Sequence, residues 1–270
     1  MHIHEYPYDL PALSEIPFTM INRDLSSKES LTSILNEHLI EVFLNDRLTM
    51  RIVCIPIHLT ELVLGRLMTE NIIRSIDDVE MISVSQNGTR VDVRLKQRFY
   101  PQDADYVETI TSSHAGRHIL DASFVIHEAL KPVQPISWKP EWVFHLADLF
   151  AEGMPLHGKT WATHSCFLSW GGKLQFSCED IGRHNALDKV IGYALRNNIP
   201  LSECIIYSSG RVPTDMVTKA IRAGIPVFSS KASPTQQAVK LAQQYNLTLI
   251  CSARRDCMKQ YAGNCMLEDK

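Results

Sequence analysis

Between Cys204 and Ile250 five short segments alternate in character. Strand-like Cys204 to Tyr207, Pro226 to Phe228 and Leu247 to Ile250 are separated by helical stretches from Pro213 to Ala223 and from Pro234 to Tyr245. The apolar runs are too short for helices, and the stretches between them space their apolar residues helically. A β-α-β-α-β order implies a largely parallel sheet with helices on its faces, hence an α/β fold. Ahead of it, Thr160 to Leu168 and Leu174 to Cys178 flank Ser169-Trp170-Gly171-Gly172-Lys173, a hairpin turn. Asp180 to Leu195 then reads as a helix through Leu187, Val190, Ile191, Ala194 and Leu195.

The first half reads as a smaller α+β domain. Strands are expected at Glu41 to Leu44 and Thr49 to Ile55, a helix from His58 to Thr69, and a hairpin of Val79 to Ser85 and Thr89 to Leu95 turned by Asn87-Gly88. Lys131 to Pro140, with three prolines, is a connector before a helix through Trp142 to Glu152. The expected domains are 1–120 and 121–270, with a soft boundary at 105–135. Charge divides similarly: residues 1–130 hold 11 Lys+Arg against 19 Asp+Glu, and residues 205–260 hold 8 against 2. The basic stretch points to an anionic ligand or partner.

Composition excludes several classes. At 270 residues and 45% hydrophobic, the chain can bury a core and is too apolar for a disordered protein. A net charge of −3 does not support a basic surface for duplex nucleic acid. Its longest apolar run, Ile52 to Leu59, falls far short of the roughly 20 residues of a membrane helix. The first ten residues lack a basic start and an apolar segment, so a cytoplasmic location is expected. Seven cysteines without C-x-x-C spacing suggest buried free thiols rather than a disulfide framework or zinc knuckle.

In a parallel sheet, ligands bind beyond the C-terminal ends of the strands, where helix N-termini present free amides. Three successive strand exits here are polar and basic: Ser208-Ser209-Gly210-Arg211, Ser229-Ser230-Lys231-Ala232-Ser233 with Thr235 following, and Ser252-Ala253-Arg254-Arg255. Pro213 suits a first helical position, and Ser233 with Gln236 has capping-box spacing. Small hydroxyls beside fixed cations suit a phosphate or pyrophosphate. A second cluster, Glu179-Asp180-Ile181-Gly182-Arg183-His184-Asn185-Ala186-Leu187-Asp188-Lys189, opens the preceding helix, which Asp180 can cap. His164 adds an imidazole from the strand before it, and Cys166, two residues on, shares its face and could be a reactive thiol.

These residues resemble the FdhD/NarQ family of formate dehydrogenase accessory proteins. The resemblance rests on Glu179 to Lys189, Ser209-Gly210-Arg211 through Lys219-Ala220, Gly224-Ile225-Pro226, Ser233-Pro234-Thr235 and His164, with a weaker match from Leu39 to Leu95. It implies a three-layer α/β/α domain akin to cytidine deaminases, a small extra domain and a homodimer. It also implies sulfur received as a persulfide from a cysteine desulfurase and passed to the molybdenum cofactor bearing two guanine dinucleotides, molybdenum bis(molybdopterin guanine dinucleotide), destined for formate dehydrogenase. Cofactor contacts would include Ser252, Ala253, Arg254, Arg255, Asp256 and Cys257. Arg211, Lys231, Arg254 and Arg255 would neutralise phosphates, with Ser209, Gly210, Ser233 and Thr235 donating near them. Asp180, Arg183, His184 and Asn185 would line the wall nearest the metal or pterin.

One departure is chemical. Where the family carries a Ser-Ser-Cys-x-x-Cys loop for the persulfide, this chain reads Ser112-Ser113-His114-Ala115-Gly116-Arg117. Neither His114 nor Arg117 can carry a persulfide. Either sulfur transfer has moved to another thiol, Cys166 beside His164 being the preferred substitute, or the chain is a noncatalytic cofactor-binding and delivery module. A zinc deaminase is excluded, since His-x-Glu and Pro-Cys-x-x-Cys are absent.

Overall fold

The computed structural model describes residues 1–6, 8–96, 106–109, 118–121 and 129–263. Most of the expected boundary zone lies outside them. The N-terminal part contributes β1 (His2–Glu5), β2 (Leu13–Ile21), β3 (Ser27–Leu35), β4 (His38–Leu44), β5 (Arg47–Cys54), α1 (Leu59–Thr69), β6 (Val79–Val84) and β7 (Arg90–Leu95). A five-stranded sheet runs β1-β6-β7-β4-β5, while β2 and β3 pair separately. So do β8 (Tyr106–Thr109) and β9 (His118–Asp121). The tight turns come from Asn45 and Asp46, both at positive φ, and from Gly88 at φ 62°.

Next come α2 (Pro140–Glu152), α3 (Pro155–Thr160), β10 (His164–Trp170), β11 (Lys173–Asp180), α4 (Arg183–Arg196), β12 (Cys204–Ser208), α5 (Thr214–Arg222), β13 (Val227–Ser230), α6 (Gln236–Gln244), β14 (Thr248–Cys251) and β15 (Lys259–Ala262). They build a six-stranded sheet in the order β11-β10-β12-β13-β14-β15. Only β12, β13 and β14 run parallel; the β10–β11, β10–β12 and β14–β15 pairings are antiparallel. The expectation of a largely parallel sheet therefore holds for its centre alone. The Gly171-Gly172 turn is too short for a crossover and forces a hairpin.

Strand alternation sorts the side chains into three layers. Phe167, Ile205, Tyr207, Val227 and Ile250 pack with Val143, Leu146 and Ala147 of α2. Cys166, Leu168, Ile206, Phe228, Leu249 and Cys251 join the core that contains the buried faces of α4, α5 and α6. The six-stranded sheet and its helices are thus α/β/α. That core continues through α1 into the five-stranded sheet.

Helices α1 and α4 meet backbone to backbone. A Cβ on Gly65 would sit 1.8 Å from the Asp188 carbonyl oxygen, and one on Gly192 would sit 1.8 Å from that of Glu61. Glycine at both positions permits the approach.

Local readings shift in four places. Strand β10 starts at His164 rather than Thr160, because Pro155–Thr160 forms α3 and Trp161, at φ 56°, turns the chain out of it. Helix α4 starts at Arg183, and Asp180 ends β11 instead of capping the helix. Pro213 is the N-cap of α5, not its first residue. Thr235, not Ser233, caps α6, its hydroxyl accepting from the Ala238 amide at 3.2 Å.

Candidate functional site

The exits of β12, β13 and β14 are stitched to one another, which consumes many of the groups read as free donors. The Ser209 amide donates to the Ser165 carbonyl at 3.0 Å, and the Ser165 amide to Ser209 Oγ at 2.9 Å. Ser230 Oγ donates to the Gly210 carbonyl at 2.7 Å, and the Ser252 and Ala253 amides donate to Ala232 and Ser230 carbonyls, each at 2.9 Å. Gly210 is buried where a Cβ would lie 2.9 Å from Arg183 Cβ, so glycine here makes room for that arginine. Ser209 and Gly210 therefore shape the edge. Lys231, Ser233, Arg211, Arg254, Arg255, Asp256 and Cys257 are exposed on it.

On the α2 side the edge opens into a cleft of about 450 Å³. Its walls include Phe150, Met154, His157, Trp161 and Tyr207, and its charged groups are Lys231, Arg254, Arg255 and Asp256. Lys231 Nζ lies 4.8 Å from the centre of the Phe150 ring, a cation–π distance. The Tyr207 hydroxyl donates to the Ala253 carbonyl at 2.9 Å, and burial pushes its pKa well up, so it stays a neutral anchor for the loop. The Arg254 amide closes that loop onto the Cys257 carbonyl at 2.8 Å. Arg255 Nε reaches Asp148 of α2 at 3.5 Å, an exposed pairing of little energetic weight.

The wall from α3 is held by Glu179. Its carboxylate accepts from the Leu156 and His157 amides at 2.8 and 2.6 Å and from Thr163 Oγ1 at 2.8 Å. The short helix thereby gains the acceptors its first turn lacks, and Trp161 projects just beyond it, 81% exposed. Phe150, His157 and Trp161 were missed from sequence: Phe150 belongs to the expected helix through Trp142 to Glu152 and reaches the cleft only by packing, and reading Thr160 to Leu168 as one strand hid α3. The Met154-Pro155 pair was the available helix-start signal.

The start of α4 carries a second group. His184 Nε2 donates to Asp215 Oδ2 at 2.7 Å, and His164 Nδ1 lies 3.4 Å from Ser209 Oγ. Burial lowers both histidines, and the Arg183 guanidinium lowers His164 further, so both rings are neutral near pH 7. Burial also lowers Arg183, with Arg211 nearby adding to the effect against the pull of Asp215.

Asp180, Asn185 and Cys166, expected at the site, lie elsewhere. Asp180 is fully buried 2.6 Å from Lys189 Nζ, accepting from the Ile55 and Gly182 amides at 3.1 Å and from Asn185 Nδ2 at 2.9 Å. Asn185, also buried, donates to the Val53 carbonyl at 2.8 Å and accepts from Arg66 at 3.2 Å. Asp188 binds Arg66 at 2.9 Å and Lys219 at 2.8 Å. These residues fasten the five-stranded sheet and α1 to β11 and α4, so Asp180 and Asn185 do not line the edge. Cys166 is fully buried opposite Cys178, and burial drives its thiol well above the ordinary range. With His164 neutral there is no imidazolium to activate it, so Cys166 cannot serve as a substitute sulfur acceptor in this conformation. The loop of His114 and Arg117 lies outside the described residues, as does Cys265.

Among the described residues, no three His, Cys, Asp or Glu cluster as metal ligands, and no helix is long and apolar enough to cross a membrane. The fold and site define an α/β protein with a cationic, aromatic-walled cleft at the C-terminal edge of its parallel strands. The model of the FdhD/NarQ family matches residues 35–267, and the chain belongs to that family. It is 26% identical over 251 residues to the sulfur carrier protein FdhD of Listeria innocua, covering 87% of this chain and 92% of that protein. It is 30% identical over 230 residues to the protein of the same name from Bacillus pumilus, covering 84% and 87%. The fold matches the crystal structure of a protein described as a formate dehydrogenase accessory protein from Desulfotalea psychrophila. The TM-score is 0.77, at 24% identity, over 94% of this chain and 98% of that one.

Proposed function

We propose that this chain is a formate dehydrogenase accessory protein that holds the molybdenum cofactor bearing two guanine dinucleotides and delivers it to the dehydrogenase. The observation that carries the reading is the cleft itself: aromatic walls suit a purine, and Lys231, Arg254 and Arg255 beside them suit its phosphates. Arg183 and Arg211 form a second cationic station near the start of α4, so the edge can serve a cargo with two phosphate-bearing arms.

Delivery is favoured over sulfur transfer. Of the six cysteines in the described residues five are buried, and Cys257 alone is exposed. The relatives are named sulfur carriers, and their role would here be reduced to cofactor handling, with a cysteine desulfurase acting on the cofactor by another route. Equilibrium binding of GDP tests the reading. Arg254→Ala should weaken it by about 1.5 to 3 kcal/mol, the worth of one charge-assisted contact. Unchanged affinity would remove the cleft from consideration. Labelling with sulfur-35 by a desulfurase should leave no stable protein persulfide, and stoichiometric label would restore the sulfur-carrier reading.

A further inference from the structure

Ligating side chains also come together far from the cleft, at the edge of the five-stranded sheet. Strand β1 pairs in parallel with β6, in a register that sets His2 beside Met81, Ile3 beside Ile82, His4 beside Ser83 and Glu5 beside Val84. Ile3 and Ile82 join the core shared with α1, and Glu5 turns the same way, reaching Arg196 of α4 at 3.1 Å. Side chains alternate along a strand, so His2 and His4 stand together on the opposite face, with Met81 and Ser83 next to them. The two histidines are exposed and Met81 is half-buried. Neither imidazole has a hydrogen-bond or ion-pair partner among the described residues.

Residues two apart on one face of a strand can turn their rings to a common point. A directly paired residue on the next strand, about 5 Å away, can supply a third donor there. The donor set then selects the ion. Imidazoles suit zinc and copper alike, and a thioether is a soft donor that suits Cu(I). Zinc draws its protein ligands from Cys, His, Asp and Glu, and among the described residues no three of these come together. Around the face, Arg94 of β7 pairs with Met81, and Asp92, paired with Ser83, is held by Arg90 at 2.6 Å. Arg94 repels a singly charged ion less than a doubly charged one.

We propose that His2, His4 and Met81 form a surface site for Cu(I), two imidazole nitrogens and a thioether sulfur holding the ion at the sheet edge. The site shares no residue with the cleft, so it stands or falls apart from the cofactor reading.

The test is anaerobic titration of the full chain with Cu(I) against the competing chelator bicinchoninate. A Cys257→Ser, Cys265→Ser background keeps those thiols from taking the metal. One ion per chain should bind. His4→Asn and Met81→Leu should each weaken binding at least about 10-fold, since losing even an outer-shell partner of a metal costs about 10- to 100-fold. Ser83→Ala, on the same face, should change nothing. X-ray absorption fine structure of the copper-loaded chain should show imidazole neighbours and a sulfur neighbour, and Met81→Leu should remove the sulfur alone. Absence of binding, an affinity indifferent to His4→Asn or to Met81→Leu, or zinc held as tightly as Cu(I) overturns the proposal. So does a copper environment without sulfur, a result read with the sheet residues unaltered and therefore independent of how the sheet variants fold.

Discussion

Replacing Lys189 with methionine would remove one charge from the most deeply buried ion pair among the described residues. Lys189 and Asp180 are both fully buried, their charged atoms 2.6 Å apart, and Lys189 also donates to the Ile55 and Glu179 carbonyls at 3.2 and 3.4 Å. Methionine fills most of the same volume, so the loss is electrostatic rather than a cavity. Stranding one partner of a buried pair costs about 3 to 5 kcal/mol. Asp180 keeps the Ile55, Gly182 and Asn185 donors, which places the expected loss near the lower end, about 3 kcal/mol. Against a typical domain stability of about 5 to 15 kcal/mol that is a large fraction. Guanidinium unfolding, followed together by tryptophan fluorescence and far-ultraviolet circular dichroism, measures it. A double variant that adds Asp180→Asn should lose less than the sum of the single losses. A loss under about 1 kcal/mol would refute the argument that this pair couples the two sheets.

Three further outcomes follow from the geometry. Gly192→Ala should lower the melting temperature, because its methyl meets the Glu61 carbonyl and overpacking typically costs about 1 to 3 kcal/mol; an unchanged melting temperature would show that α1 moves freely against α4. His184 has a folded pKa below its unfolded value of about 6.5, so the unfolded state binds more protons in that window. Stability should then fall as pH drops below about 6.5, and His184→Asn should flatten the fall in urea midpoints. A thiol reagent applied to the native protein should modify Cys257 quickly and Cys166 only on unfolding; rapid native labelling of Cys166, mapped by mass spectrometry, would contradict its burial.

Much of the C-terminal fold was legible because apolar period and turn chemistry agree there. The β-α-β-α-β order and the Gly171-Gly172 hairpin are local signals, and both are present in the structure. What could not be read was the direction of β10 and β15, since sheet order depends on partners far away in sequence. The arm of β2 and β3 was missed because its residues are largely exposed and lack clean alternation. The cationic edge was visible as residue types, and the aromatic half of the cleft was not. Phe150 and Trp161 belong to helices on another layer, brought in by packing and by the hold of Glu179 on α3. Asp180 and Asn185 misled for the opposite reason: polar residues beside a helix start look like a ligand wall, and only the tertiary structure reveals the buried partners that claim them.

The neighbours Glu179 and Asp180 give this protein an unusual division between ancestry and chemistry. One carboxylate steadies the cleft wall and the other anchors the second sheet, so the stretch that makes the chain recognisable is spent largely on architecture. The groups that would meet a ligand, Lys231, Arg254, Asp256 and Trp161, sit on loops and a helix end with few packing obligations. Such positions can be exchanged without rebuilding the core. A change of ligand preference would therefore leave the run from Glu179 to Lys189 untouched, and reading the ligand from a sequence of this kind requires the loops instead.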